Sequence, residues 1–224
     1  MKIAISGTYS TGKTTTPLAL AHYLGIPRTQ AKTMREILPK AIVGKKLEDA
    51  TGPELVQLGV RRLMERAVSE SHLGSYISDG SSIHEWVYGM VRTELGLNPQ
   101  QRAEDVVLTN EMKFLKEVML NFGAVAKDYA KEHYESFIHL PVEFPIALDG
   151  HRPVSELFRQ KSNDLLLKTL NELEIPYYVV GGTVKERLLK IAEIYQIAPV
   201  MTVEKAIENA NEEMKEFIIK IEGE

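Results

Sequence analysis

Residues 7–14 read Gly-Thr-Tyr-Ser-Thr-Gly-Lys-Thr, a complete GxxxxGKT pattern. Few short patterns constrain a fold as tightly, because this one works only between a strand and a helix. Both flanks comply: Lys2 to Ser6 reads as a short apolar strand, and Thr15 to Leu24 as a helix with Leu18, Ala21 and Leu24 on one face. In that setting the backbone N–H groups from Gly7 through Ser10, Thr11 and Gly12 to Thr15 turn toward an anion. The helix dipole adds about half a positive charge there. Gly7 and Gly12 allow the turn and the close approach of a phosphate. Lys13 is placed to reach the β- and γ-phosphates, and the Thr14 hydroxyl to ligate Mg²⁺. The competing reading is a glycine-rich turn that matches by chance, and the correct flanks weigh against it. The pattern points to a nucleoside triphosphate.

The rest of the composition narrows the class. A chain of 224 residues suits one α/β domain with additions. Cysteine is absent, which removes disulfides, thiolate metal sites and cysteine nucleophiles. A net charge of −4 argues against a nucleic-acid surface. The six histidines lack zinc-binding spacing. Neither a leader pattern nor a membrane-length apolar run is visible, so a soluble cytoplasmic protein is expected, with no membrane partner.

Strand-like segments alternate with helical ones along the whole length. Strands are expected at 2–6, 28–30, 75–79, 136–140 and 177–180. Helices are expected at 33–38 (ending before Pro39), 54–72, from 86, over 102–131 with a break at Gly123, and at 156–173, 184–195 and 203–219. That order implies a parallel sheet of about five strands flanked by helices, the α/β phosphate-loop NTPase architecture. One domain over 1–224 is expected, with a helical insert at 96–131, a lid at 149–162 and a C-terminal helix within 200–224.

Several side chains carry candidate chemistry. Asp79 ends the third strand beside the loop, where it could hold Mg²⁺ or take a proton from an attacking hydroxyl. A turn or cap aspartate is the alternative. Arg152 and Arg159, on a turn-rich segment and the helix after it, could close over a transferring phosphoryl group; Lys161 is a weaker member. Arg35 and Glu36 follow the second strand, Glu36 as a sugar ligand or base and Arg35 as a phosphate ligand, or as a solvated ion pair. His84, Glu85, Trp86 and Tyr88 crowd the next helix and suit a planar acceptor, although the lone tryptophan equally suits a core.

With these pieces in order the chain resembles the phosphate-loop kinases related to nicotinamide riboside kinase domains, and more remotely the nucleoside and nucleotide kinases. The resemblance rests on GTYSTGKT, MREIL with Arg35 and Glu36, the strand ending in Asp79, and DGHRPVSELFRQKSNDLL from Asp149. The last run resembles that family's arginine-bearing lid. Tyr177 to Gly182, then Glu186-Arg187, resemble its last strand, glycine turn and helix, and imply that Gly182 and Arg187 serve the nucleotide. The resemblance also implies ATP over GTP. The sequence departs from the family in DGSSIHEW after the third strand, and in 96–131.

The expectation is therefore an ATP- and Mg²⁺-dependent kinase acting on a small acceptor, nucleoside-like or another metabolite. Asp79 and Glu36 compete for the role of base. The rival is an NTPase that uses hydrolysis as a conformational switch with a protein partner. Neither a polynucleotide kinase nor a silent nucleotide sensor has comparable support. Oligomeric state stays open, a homodimer included.

Overall fold

The computed structural model describes residues 1–97, 109–146 and 155–222. The elements run β1 (Lys2–Ser6), α1 (Thr15–Leu24), β2 (Arg28–Gln30), α2 (Met34–Ala41), a 3-10 turn (Leu47–Asp49), α3 (Gly52–Glu70), β3 (Tyr76–Asp79), α4 (Ile83–Leu95), α5 (Asn110–His133), β4 (Ser136–His139), α6 (Glu156–Glu172), β5 (Tyr177–Val179), α7 (Val184–Tyr195) and α8 (Val203–Glu222). The five strands form one parallel sheet in the order β2-β3-β1-β4-β5. From β1 the chain passes to the edge strand β2, returns to lay β3 between β2 and β1, and then crosses over to add β4 and β5 on the other side. The loop after β1 therefore sits at the switch point of the sheet, where α/β folds open their ligand crevice.

Both faces of the sheet are covered, which explains why β1 reads as continuously apolar. Ile3, Ile5, Ile77 and Ile138 face α1, α7 and α8. Ala4, Tyr76 and Phe137 face the layer that holds α4, α5 and α6. Register then places the chemistry. Ile5 pairs with Asp79, so the acid of β3 lies level with the end of β1, immediately before the glycine loop.

Local differences from the sequence reading have simple causes. α2 runs through Pro39 to Ala41 instead of stopping before it. Pro39 gives up the bond from its own nitrogen and its ring crowds the carbonyl one turn back, a cost this helix bears near its C-terminal end. α3 begins at Gly52, two residues early, since Thr51 and Glu54 form a capping box. α4 starts at Ile83, ahead of Trp86. α5 is unbroken at Gly123, and its Leu115, Met119, Ala126 and Ala130 belong to the main core.

The two glycines of this pair act as seats. The Met119 side chain of α5 lies on Gly89 of α4, and the Trp86 indole of α4 lies on Gly123 of α5. A methyl at 123 would overlap the indole. Gly123→Ala is thus expected to lose about 1–3 kcal/mol of stability through overpacking, despite alanine's better helix propensity. Urea unfolding checks it, and a stabilised variant would contradict the packing.

Candidate active site

The glycine loop takes the shape its residues predict. Gly7, Ser10 and Gly12 have positive φ of 149°, 60° and 83°. A side chain at Gly7 would meet the Thr11 hydroxyl at 2.6 Å, and one at Gly12 would meet Arg187 at 2.8 Å. Thr11 Oγ1 donates to the Thr8 carbonyl at 3.0 Å, tightening the turn. Arg187, buried on α7, donates from Nη1 to the Thr11 carbonyl at 2.6 Å and pairs through Nη2 with Glu143 at 3.1 Å. Glu143 also accepts from the Gly182 N–H at 2.9 Å. The loop, the segment after β4 and the turn after β5 are therefore tied through one guanidinium and one carboxylate.

The loop opens onto a cleft of about 790 Å³, well inside the range of small-molecule sites. Lys13, Thr14 and Asp79 line it, with Arg62, Glu85 and Tyr88 beyond. Burial pushes the Lys13 ammonium below its ordinary value, against the pull of Asp79. Burial likewise raises the Asp79 carboxyl, against Lys13, Arg28, Arg66 and Arg62. Two groups of opposite charge held away from water are thus both driven toward their neutral forms. Arg28 lies 3.4 Å from Asp79 and 3.4 Å from Glu213 of α8, whose other oxygen meets His22 at 3.1 Å. Arg62 pairs with Glu85 at 2.6 Å.

Behind Asp79 lies a buried hub. Arg66 of α3 donates to Ser78 Oγ at 2.6 Å and to the Asp79 carbonyl at 3.0 Å. Glu70, one turn on, accepts from Ser78 Oγ at 2.5 Å, Tyr129 at 2.9 Å, and Thr29 and Tyr134 at 3.3 Å each. Helices α3 and α5 thereby clamp the end of β3 that carries the acid.

His84 follows on the first turn of α4. The Ser81 N–H donates to its Nδ1 at 2.9 Å, so the neutral ring carries its proton on Nε2. Burial first, then the charges of Lys13 and Arg66, hold it well below the usual 6.5. His139 is also lowered by burial. The unfolded chain takes up protons near 6.5 while these folded rings do not. Stability is then expected to fall as pH drops from about 6.5 toward the folded values, by roughly 1.4 kcal/mol per pH unit for each ring. Urea midpoints across pH, for the wild type and His84→Gln, test this. An unchanged slope in the variant would acquit His84.

An AAA-domain family model matches residues 2–187. The chain belongs to that family. Among curated proteins none matches this sequence. Among solved structures, deoxyadenosine kinase from M. mycoides with bound dATP is similar, at 17% identity and a TM-score of 0.61, over 88% of this chain and 100% of that one. NadR protein in complex with NAD and AMP-PNP is similar at 14% identity and a TM-score of 0.57, over 89% of this chain and 51% of NadR. This AAA-domain chain thus shares the kinase fold with both and spans about half of NadR. That fold is the one expected from the glycine loop and the alternating strands.

The site residues expected from sequence divide into groups. Ser10, Gly12, Lys13, Thr14, Thr15, Asp79, His84 and Glu85 line the cleft together. Trp86 does not: it is buried against Gly123, with Lys127 over its ring at 4.2 Å. Its place on the helix turns it to α5, away from the loop. Glu36 is not among the lining residues either. Its carboxylate accepts from Thr33 N–H at 2.7 Å and Thr33 Oγ1 at 2.9 Å, completing the cap of α2. Arg159 is buried, bonded to Glu156 and the Phe144 carbonyl, and is absent from the cleft wall. Lys161 meets Glu94 at 3.0 Å. Arg187 and Gly182 brace the loop and its neighbours, as described. Arg152, with the rest of Asp149 to Pro153, lies outside the described residues. Sequence reading missed Arg28, Arg62, Arg66, Arg92, Glu143 and Glu213, and only the i, i+4 pairing of Arg62, Arg66 and Glu70 on one face of α3 could have signalled any of them.

Proposed function

We propose that this chain transfers the γ-phosphoryl group of ATP to a hydroxyl or phosphate of a small acceptor, nucleoside-like or another metabolite. The carrying observation is that Lys13, Thr14 and Asp79 share one cleft that continues past the loop along α4. In this reading one catalytic unit spans 1–224. The loop backbone and Lys13 hold the β- and γ-phosphates. Thr14 and Asp79 present the hard oxygen donors that Mg²⁺ takes, and the ion would neutralise phosphate charge there.

For a hydroxyl acceptor, Asp79 receives the proton as the new O–P bond forms and the bond to the β-phosphate oxygen breaks. Asp79 is favoured over Glu36 as base because Glu36 is committed to the α2 cap. Burial raises the Asp79 carboxyl, the direction that makes it a stronger base. Arg152 is assigned to charge on the transferring group. The shared fold with deoxyadenosine kinase and NadR supports a kinase and leaves the acceptor to the pocket.

ADP release from ATP and Mg²⁺, with and without nucleosides, nucleoside monophosphates and other ribosides, tests this. Release that requires one acceptor class is expected. Steady release indifferent to every acceptor would instead favour hydrolysis as a switch. No helix among the described residues is long and apolar enough to cross a membrane.

A further inference from the structure

Buried polar atoms without partners are few in a well-packed protein, and each calls for a reason. Here Thr8 Oγ1, His84 Nε2, Tyr88 OH and Arg92 Nε are all buried and unpartnered, and all four residues line the same cleft. Three of them sit on α4 at positions 84, 88 and 92. A spacing of four residues puts them on one helix face. The stripe starts at the loop end of the cleft, where His84 lines the wall with Lys13 and Asp79 and feels the Lys13 charge. It ends two turns away, about 12 Å along the axis.

The far end is cationic. Arg92 is 5% exposed, and among the described residues no carboxylate pairs with it. Its contacts among the described residues are the Tyr88 carbonyl at a long 3.4 Å, the Phe158 ring at 5.1 Å and the Tyr9 hydroxyl, none of which brings a negative charge. The other cleft arginines differ: Arg28, Arg62 and Arg66 all face carboxylates. A buried guanidinium left without an anion is costly, and a substrate can supply the missing charge.

We propose that the acceptor carries a carboxylate at the end remote from its reacting hydroxyl, and that Arg92 binds it, with Tyr88 and His84 donating hydrogen bonds along the way. This rests on reading the cleft as a transferase site. One cation that no described carboxylate pairs matches one negative charge, whereas a phosphate monoester would bring close to two. His84 Nε2–H and the Tyr88 hydroxyl, both able to donate, suit an acceptor rich in oxygen atoms.

The test uses pairs of probes that differ only in that remote group: orotidine against uridine, and nicotinate riboside against nicotinamide riboside. Binding to the full chain is measured by calorimetry with a non-hydrolysable ATP analogue present, and acceptor-dependent ADP release is measured in parallel. The wild type is expected to favour the carboxylate member of at least one pair by about tenfold or more, since a site built to bond a group rejects the analogue lacking it. In Arg92→Met that ratio should collapse, and in Arg92→Lys it should be partly kept.

Equal binding within both pairs overturns the proposal. So does a carboxylate preference that survives Arg92→Met, or failure of both carboxylate probes to bind while the ATP analogue does. Should Arg92→Met lose the ATP analogue too, and so prove misfolded, Arg92→Lys and Tyr88→Phe carry the comparison, each expected to narrow the ratio. Carboxylate preference without any ADP release would sink the transferase reading and leave the anion site standing. Release restricted to neutral acceptors would do the reverse.

Discussion

Lys13→Ala is expected to lower acceptor-dependent ADP release about 10²–10³-fold, the range seen when one preorganised charge on a transferring group is removed. The Lys13 ammonium lies in the cleft with Asp79 as an interacting charge. Its loss should therefore act a second time. Without that cation the Asp79 carboxyl, already raised by burial, rises further, because the ionised form loses a favourable neighbour. The acid limb of the pH–rate profile should move to higher pH in the variant. Steady-state kinetics across pH read both effects at once. Wild-type turnover in Lys13→Ala would remove Lys13 from the phosphate site. A reduced rate with an unmoved acid limb would instead mean that Lys13 serves the phosphates while another group sets the limb.

The second large effect falls on stability. Glu70→Ala is expected to cost about 3–5 kcal/mol, the cost of breaking a buried ion pair by removing one partner. Arg66 and Glu70 are both nearly inaccessible and 3.6 Å apart, and Ser78, Thr29, Tyr129 and Tyr134 all give hydrogen bonds to the same carboxylate. Removing it strands a guanidinium and several hydroxyls in the interior. Against a total of roughly 5–15 kcal/mol for a folded domain, that is a large fraction. Urea unfolding measures it. A loss below about 1 kcal/mol would show that water enters and replaces the carboxylate. Because Arg66 also bonds the Asp79 carbonyl, a surviving Glu70→Ala protein is expected to turn over slowly with a misplaced acid.

Some of this was legible early because its cause is local. The glycine loop follows from residues adjacent in sequence: Gly7 and Gly12 take positive φ, and the strand before and helix after need only their own apolar pattern. The parallel order of the sheet follows from the alternation of strands and helices, which forces crossovers. Asp79 was legible too, as an acid ending an apolar strand. Gly123 shows where such reading fails. A glycine in a helical pattern looks like a break, yet here it is the surface on which Trp86 packs. Glu36 shows the same failure in a side chain, since a carboxylate near the expected pocket is spent on its own helix cap.

The sequence by itself determined the phosphate loop, the α/β class and the place of one acid, since each rests on short-range geometry that neighbouring residues set alone. Tertiary structure decided which charges meet. Arg28 on β2 is shared by Asp79 on β3 and Glu213 on α8, residues 51 and 185 positions away. Arg187 steadies the loop from 176 positions downstream. Arg92 is conspicuous only because the folded chain brings it no carboxylate among the described residues. Long-range electrostatic pairing depends on distances in the folded chain, and spacing along the sequence carries no record of them.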